Sequence, residues 1–221
     1  MPERRRVAIV DFGLGNLFSV LRACEEAGAK AAITSAPADV AAADGIVLPG
    51  VGAFGDAMKA LEASGMSKAL KAAVSGGKPL LGICLGMQLL MEESSEFGRH
   101  EGLGLIPGRV VRFPETTDGE PLKVPHIGWS RLITGSPTRF AKTPLEGLAD
   151  GAYMYFVHSY YVAPADPAVV VSRSRYASVE FCSSLAWGSV VACQFHPERS
   201  GPDGIRIYRN WLSRLPEAAH R

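Results

Sequence analysis

The sequence predicts an α/β fold: an open, mostly parallel sheet with helices on both faces, extended by antiparallel strands in its second half. Three observations lead there. Short, continuous apolar runs in the first half alternate with Ala- and Leu-rich stretches whose apolar residues recur at helical spacing. The runs lack polar alternation, so both of their faces are covered, as in a parallel sheet between helices. In the second half, strand-like runs are separated by Gly, Pro, Asp and Thr, with long gaps between helices.

Val7 to Val10 is the first such strand, and Gly13-Leu14-Gly15-Asn16 is the turn after it. Leu17 to Ala27 reads as a helix with Leu17, Val20, Leu21 and Cys24 on one face, closed by Gly28. Ala31 to Thr34 is a second strand. Gly45 to Leu48 is a third, running into Pro49-Gly50-Val51-Gly52. Ala57 to Val74 is helical with a break near Gly65; Pro79 to Ile83 is a fourth strand and Leu85 to Glu93 a helix. Val110 to Phe113, Gly128 to Ile133, Tyr153 to Val162, Val169 to Ser174 and Val190 to Phe195 read as strands. Gly204 to Leu215 closes the chain as a helix with Ile205, Tyr208 and Leu212 on one face.

The 221 residues, 47% hydrophobic and 20% charged, suit one globular domain spanning 1–221. A formal net charge of +1 gives no reason to expect a nucleic-acid or anionic-membrane partner. Arg4-Arg5-Arg6 resembles the start of a signal peptide, but the apolar stretch after it ends at Asp11, too soon for a hydrophobic region. No apolar run reaches the ~18 residues needed to span a membrane. A cytoplasmic protein is the expectation. Four cysteines, none in a C-x-x-C pair, argue against a zinc site or a disulfide framework.

Cys84 stands apart from the other three. In Gly82-Ile83-Cys84-Leu85-Gly86 a buried strand ends at the cysteine, a helix starts after it, and glycines stand two residues away on each side. This is the thiol form of a nucleophile elbow, a sharp turn that lifts one side chain above the sheet. A buried structural cysteine in a strand-turn-helix unit fits the same pattern. Cys24, Cys182 and Cys193 lie in helix- or strand-like sequence without flanking glycines and read as packing residues. A thiolate that attacks an acyl carbon needs a general base, and the base needs an orienting group. Gln194-Phe195-His196-Pro197-Glu198 offers both at the end of a buried strand, the edge where open parallel sheets build sites. His126 and His158 lie in strand-like runs; His100 and His220 lie in polar segments expected to be exposed. No spacing forms a metal-ligand set. For the oxyanion, the Leu85 amide is one donor and the Pro49–Gly52 loop supplies a second, unless that loop is an ordinary βα turn.

Taken together, these segments resemble the class I, or triad, glutamine amidotransferases, whose fold is flavodoxin-like. The match lies in Cys84 between its glycines, His196-Pro197-Glu198 near the C-terminus, and their order and separation. Further segments look like one branch, the glutaminase subunits of imidazole glycerol phosphate synthase: Val10 to Leu17, Leu48 to Met58, Pro125 to Trp129 and Tyr155 to Tyr161. The resemblance implies hydrolysis of L-glutamine to L-glutamate and ammonia through a γ-glutamyl thioester, without cofactor or metal. It implies a heterodimer in which the (β/α)₈ cyclase subunit receives the ammonia, forming imidazole glycerol phosphate and AICAR in histidine biosynthesis. Carried over residue by residue, Cys84, His196 and Glu198 form the triad, and the amides of Val51 and Leu85 face the oxyanion. Gly52, Gln88, Ser159 and Tyr160 hold the substrate; Asn16, Trp129, Tyr155 and Arg199 lie toward the cyclase. Trp129 fits a core position equally well from sequence alone. Arg199 departs from the family pattern, which has Lys after His-Pro-Glu. Two other readings stay open: the glutaminase subunit of another synthase, such as that for pyridoxal phosphate, and a catalytically silent interface module.

Overall fold

The computed structural model describes residues 4–134 and 139–216; His220 falls outside them. The first half is a βα alternation: β1 Arg6–Val10, α1 Leu17–Glu26, β2 Lys30–Thr34, α2 Pro37–Ala42, β3 Gly45–Leu48, α3 Phe54–Ala63, α4 Met66–Ser75, β4 Leu80–Ile83 and α5 Leu85–Leu89. The second half contributes β5 Glu93–Ser94, β6 His100–Glu101, β7 Gly108–Arg112, β8 Thr116–Thr117, β9 Glu120–Pro121, β10 His126–Arg131, β11 Tyr153–His158, β12 Tyr160–Pro164, β13 Val170–Tyr176, β14 Val179–Trp187, β15 Val190–Cys193 and α6 Gly201–Ser213.

Seven strands form the main sheet in the order β13-β14-β15-β4-β3-β1-β2. From β15 to β2 every pairing is parallel, whereas β13-β14-β15 is antiparallel. Burial explains the apolar runs. All four residues of β3 and of β4 are buried, with α3, α4 and α5 packed on one face and α1 and α6 on the other. Beside this sheet lie a four-stranded sheet, β12-β7-β5-β6, and the antiparallel pair β10-β11.

The expected elements appear, with the short strands β5, β6, β8 and β9 added and four larger differences. Helix α2 went unread because only Val40 of Pro-Ala-Asp-Val-Ala-Ala is buried, leaving no apolar stripe. Its C-terminal carbonyls are capped from outside, by Lys78 Nζ donating to Val40, Ala41 and Ala43 oxygens at 3.0, 2.6 and 2.5 Å. Helix α5 ends at Leu89 rather than Glu93 because amides of 102–106 take the carbonyls of Leu89, Leu90, Met91 and Glu92. The run from Tyr153 to Val162 is two strands, not one: β11 pairs with β10, β12 pairs with β7, and the chain changes sheets at Ser159. Strand β14 carries buried Ser183 and Ser184 in its middle, which hides its apolar pattern; both hydroxyls bond Ser172 Oγ, at 2.8 and 2.5 Å.

A buried relay of polar groups ties β10 to β11. The Tyr160 carbonyl can only accept, so His158 donates to it from Nδ1 at 2.9 Å. Neutral His158 then accepts at Nε2 from His126 Nδ1 at 3.2 Å, and His126 accepts at Nε2 from Ser130 Oγ at 3.0 Å. Both imidazoles are satisfied core histidines. Burial pushes the His126 pKa down to about 4, and burial, with neighbouring imidazoles, pushes His158 down to about 3. Because the folded values lie below the unfolded value near 6.5, the unfolded chain binds these protons first. Stability is therefore fully present above about pH 6.5 and is expected to fall as the pH drops through 5 toward 4. Melting temperatures across that range check this; a midpoint unchanged down to pH 4.5 contradicts it.

Candidate active site

Strand β4 delivers Cys84 to the C-terminal edge of the sheet, where its amide donates to the Cys193 carbonyl at 2.8 Å. Its backbone sits at φ 54° and ψ −111°, a conformation L-residues rarely adopt, costing about 1–3 kcal/mol. The burial of β4 on both faces holds it there. The flanking glycines have a visible reason. A Cβ on Gly86 would stand 1.7 Å from the Leu48 carbonyl oxygen, so α5 touches the end of β3 only if residue 86 has no side chain. A Cβ on Gly82 would crowd Leu90 and Ala192 at 3.1 Å and the Gly86 carbonyl at 3.3 Å.

His196 leaves β15 on a short 3-10 turn, Pro197–Arg199, that places Glu198 behind it. His196 Nδ1 donates to Glu198 Oε1 at 2.8 Å, with both side chains at most 7% exposed. Ser200 fixes the turn by donating to the His196 carbonyl at 2.7 Å and accepting the Tyr155 amide at 3.1 Å. With Nδ1 engaged, Nε2 is the free nitrogen; it has no hydrogen-bond partner of ordinary geometry, and the Cys84 sulfur is the acidic group beside it. Burial alone lowers the His196 pKa, but the Cys84 sulfur and the Glu198 carboxylate outweigh it and hold the imidazole up at about 10. A proton is thus favoured on the ring when the sulfur is charged. The other three thiols are buried and held protonated: burial pushes Cys24 and Cys182 up to about 12 and Cys193 well above its usual value. Cys84, by contrast, lines a cavity.

That cavity, about 260 Å³, is lined by Val51, Gly52, Cys84, Leu85, Gln88, Glu96, Pro125, Val157, His158, Ser159 and Tyr160. The sheet change at Ser159 is what bends Val157 to Tyr160 over the cysteine. Every expected substrate residue is therefore present. Glu96 was missed. It lies in the loop between β5 and β6, and its Oε2 accepts the Phe54 amide at 2.6 Å across 42 residues, a contact with no local sequence signal. His100, expected to be exposed, is instead half-buried over Gly55. Among the described residues, no group of three or more His, Cys, Asp or Glu side chains is arranged to hold a metal ion.

Of the two amides expected to face an oxyanion, one is engaged elsewhere and the other is turned away. The Leu85 amide donates to the Gly50 carbonyl at 3.3 Å. Carbonyl and N–H point oppositely across a trans peptide, so the Gly50–Val51 plane that turns its oxygen to Leu85 turns the Val51 N–H away. Behind the histidine, a narrower cavity of about 70 Å³ is bounded by Asn16, Gly50, Val51, His196, Glu198 and Arg199, among others. Asn16 caps α1, accepting from the Ser19 amide at 3.5 Å. Arg199 lies over the Tyr155 ring, 4.5 Å from its centroid, and Trp129 meets Tyr155 edge-on at 6.0 Å. Trp129 is exposed, not a core residue.

A strained cysteine at a strand-helix elbow, a paired His and Glu behind it, and a glycine-rich loop at the same edge make up an arrangement suited to acyl transfer at a thiol. Residues 8–215 match the model of the class-I glutamine amidotransferases, and the chain belongs to that family. Within it, the chain is similar to imidazole glycerol phosphate synthase subunit HisH of Syntrophotalea carbinolica, 48% identical over 93% of this chain and 98% of that one. It is 47% identical to the subunit of the same name from Geobacter sulfurreducens, over 93% and 97% of the two chains. Among solved structures, PurLQS from Thermotoga maritima superposes with a TM-score of 0.71 at 20% identity, covering 96% of this chain and 99% of that one. A glutamine amidotransferase crystal structure gives 0.71 at 19%, over 94% and 97%.

Proposed function

We propose that the chain is the glutaminase subunit of a cytoplasmic imidazole glycerol phosphate synthase and works as a heterodimer with the cyclase subunit. The observation that carries the chemistry is the juxtaposition of the Cys84 elbow with the 2.8 Å His196–Glu198 pair at one sheet edge. The Cys84 thiolate attacks the side-chain amide carbon of glutamine, and the tetrahedral oxyanion forms. His196 gives its proton to the leaving nitrogen, ammonia departs, and a γ-glutamyl thioester remains. Water, deprotonated by His196, hydrolyses the thioester and releases glutamate. Glu198 holds the imidazole tautomer throughout.

The exposed apolar residues Phe18, Val51, Ile127, Trp129 and Tyr153 are the surface offered to the cyclase, and Val51 also lines the site. The narrow cavity leads from His196 to Asn16 and Arg199 on the same side, a route by which ammonia leaves toward the partner.

Glutamine's α-ammonium needs an anion, and Glu96 is the carboxylate lining the cavity. Replacing Glu96 by Ala in the complex is expected to raise KM for glutamine about 10- to 100-fold with a much smaller change in kcat. Steady-state kinetics check this; an unchanged KM contradicts the seating of glutamine here.

A further inference from the structure

Gln194, the residue two before His196, is fully buried, yet its polar side chain reaches into the site. Its Nε2 lies 3.6 Å from the Cys84 sulfur, and its Oε1 accepts from Gln88 Nε2 at 3.0 Å. Gln88 Nε2 also donates to the Tyr160 carbonyl at 3.0 Å. The direction of this chain follows from its far end. A backbone carbonyl only accepts, so Gln88 must turn its NH₂ to Tyr160, and that same NH₂ group then faces Gln194. Gln194 must answer with its oxygen, which leaves its own NH₂ for the sulfur. Flipping either amide would set two donors or two acceptors against each other inside the core.

We propose that Gln194 is a catalytic residue that donates an N–H to the Cys84 sulfur and favours its thiolate, with Gln88 and the Tyr160 carbonyl setting its direction. This rests on the reading of Cys84 as the nucleophile. As a thiol, Cys84 also donates to the Val157 carbonyl at 3.8 Å. Loss of the proton ends that contact, and the Gln194 N–H remains as a neutral donor that does not itself take part in proton transfer. Such a donor stabilises the charged sulfur without competing with His196 for the proton.

The test is the pH dependence of Cys84 alkylation by iodoacetamide in the wild-type chain, Gln194→Met and Gln194→Glu, with the modified peptide identified by mass spectrometry. The titratable groups facing the sulfur or its cavity are His196 with Glu198, His158, Cys193, Glu96 and Tyr160, and both variants keep them all. Loss of the donor is expected to shift the alkylation midpoint upward by about one pH unit in Gln194→Met, a tenfold slower reaction below the midpoint, and further in Gln194→Glu. Folded variants whose profiles superimpose on wild type overturn the proposal. Should neither variant fold, wild-type protein decides: the Gln194 side-chain amide resonance is expected to shift when Cys84 is alkylated, and an unchanged resonance overturns the proposal. Wild-type Cys84 that resists alkylation at every pH would instead sink the nucleophile reading, so the two failures are distinct.

Discussion

Replacing Cys84 by Ala is expected to lower glutamine hydrolysis by the complex by a factor of about a thousand or more while leaving the fold intact. The size follows from covalent catalysis. Without sulfur there is no thioester, and the other three thiols cannot substitute: they are buried in the core and held protonated. The small structural cost follows from the surroundings. The elbow at φ 54° is held by β4, by the Cys84 amide bond to Cys193, and by the close approach of Gly86 to Leu48, none of which uses the sulfur. Glutamate release and the melting temperature, measured on the same preparation, check both halves. Wild-type-like turnover in the variant contradicts the assignment of Cys84.

The second large effect is stimulation by the partner. In this structure the Leu85 amide is spent on the Gly50 carbonyl, and the Val51 amide points away by the geometry of the same peptide. Losing one oxyanion donor costs about 10²- to 10³-fold in acyl-transfer enzymes. Rotating the single Gly50–Val51 peptide frees Leu85 and delivers Val51 at once, and Gly52, at φ 102°, gives the loop a joint next to it. Val51 is itself exposed, so a cyclase docked on the face proposed for it would reach this peptide. The isolated chain is expected to hydrolyse glutamine at least about a hundredfold more slowly than the complex bound to its ribonucleotide.

Much of this was legible in the sequence because the informative residues are local. Gly82-Ile83-Cys84-Leu85-Gly86 announces the elbow, since the contacts that exclude side chains at 82 and 86 lie within one strand-turn-helix unit and the two strands beside it. His196 and Glu198 need only the two-residue turn at Pro197 to meet. What stayed hidden depends on segments distant in the chain. Glu96 enters the site through a bond to Phe54, and Gln194 through bonds to Cys84 and Gln88, more than 100 residues away. The break at Ser159 was unreadable because Tyr153 to Val162 is uniformly strand-like; only the existence of two receiving sheets divides it. The state of the oxyanion donors is a peptide orientation, which no residue type encodes.

The most direct test is glutamate release measured on the wild-type chain alone, with the cyclase subunit, and with the cyclase and its ribonucleotide substrate. Rates should climb through the three conditions by about two orders of magnitude or more, and every rate should fall by about a thousandfold or more with Cys84→Ala. A chain that reaches its full rate alone, or stays silent with liganded cyclase present, contradicts a partner-gated cysteine glutaminase.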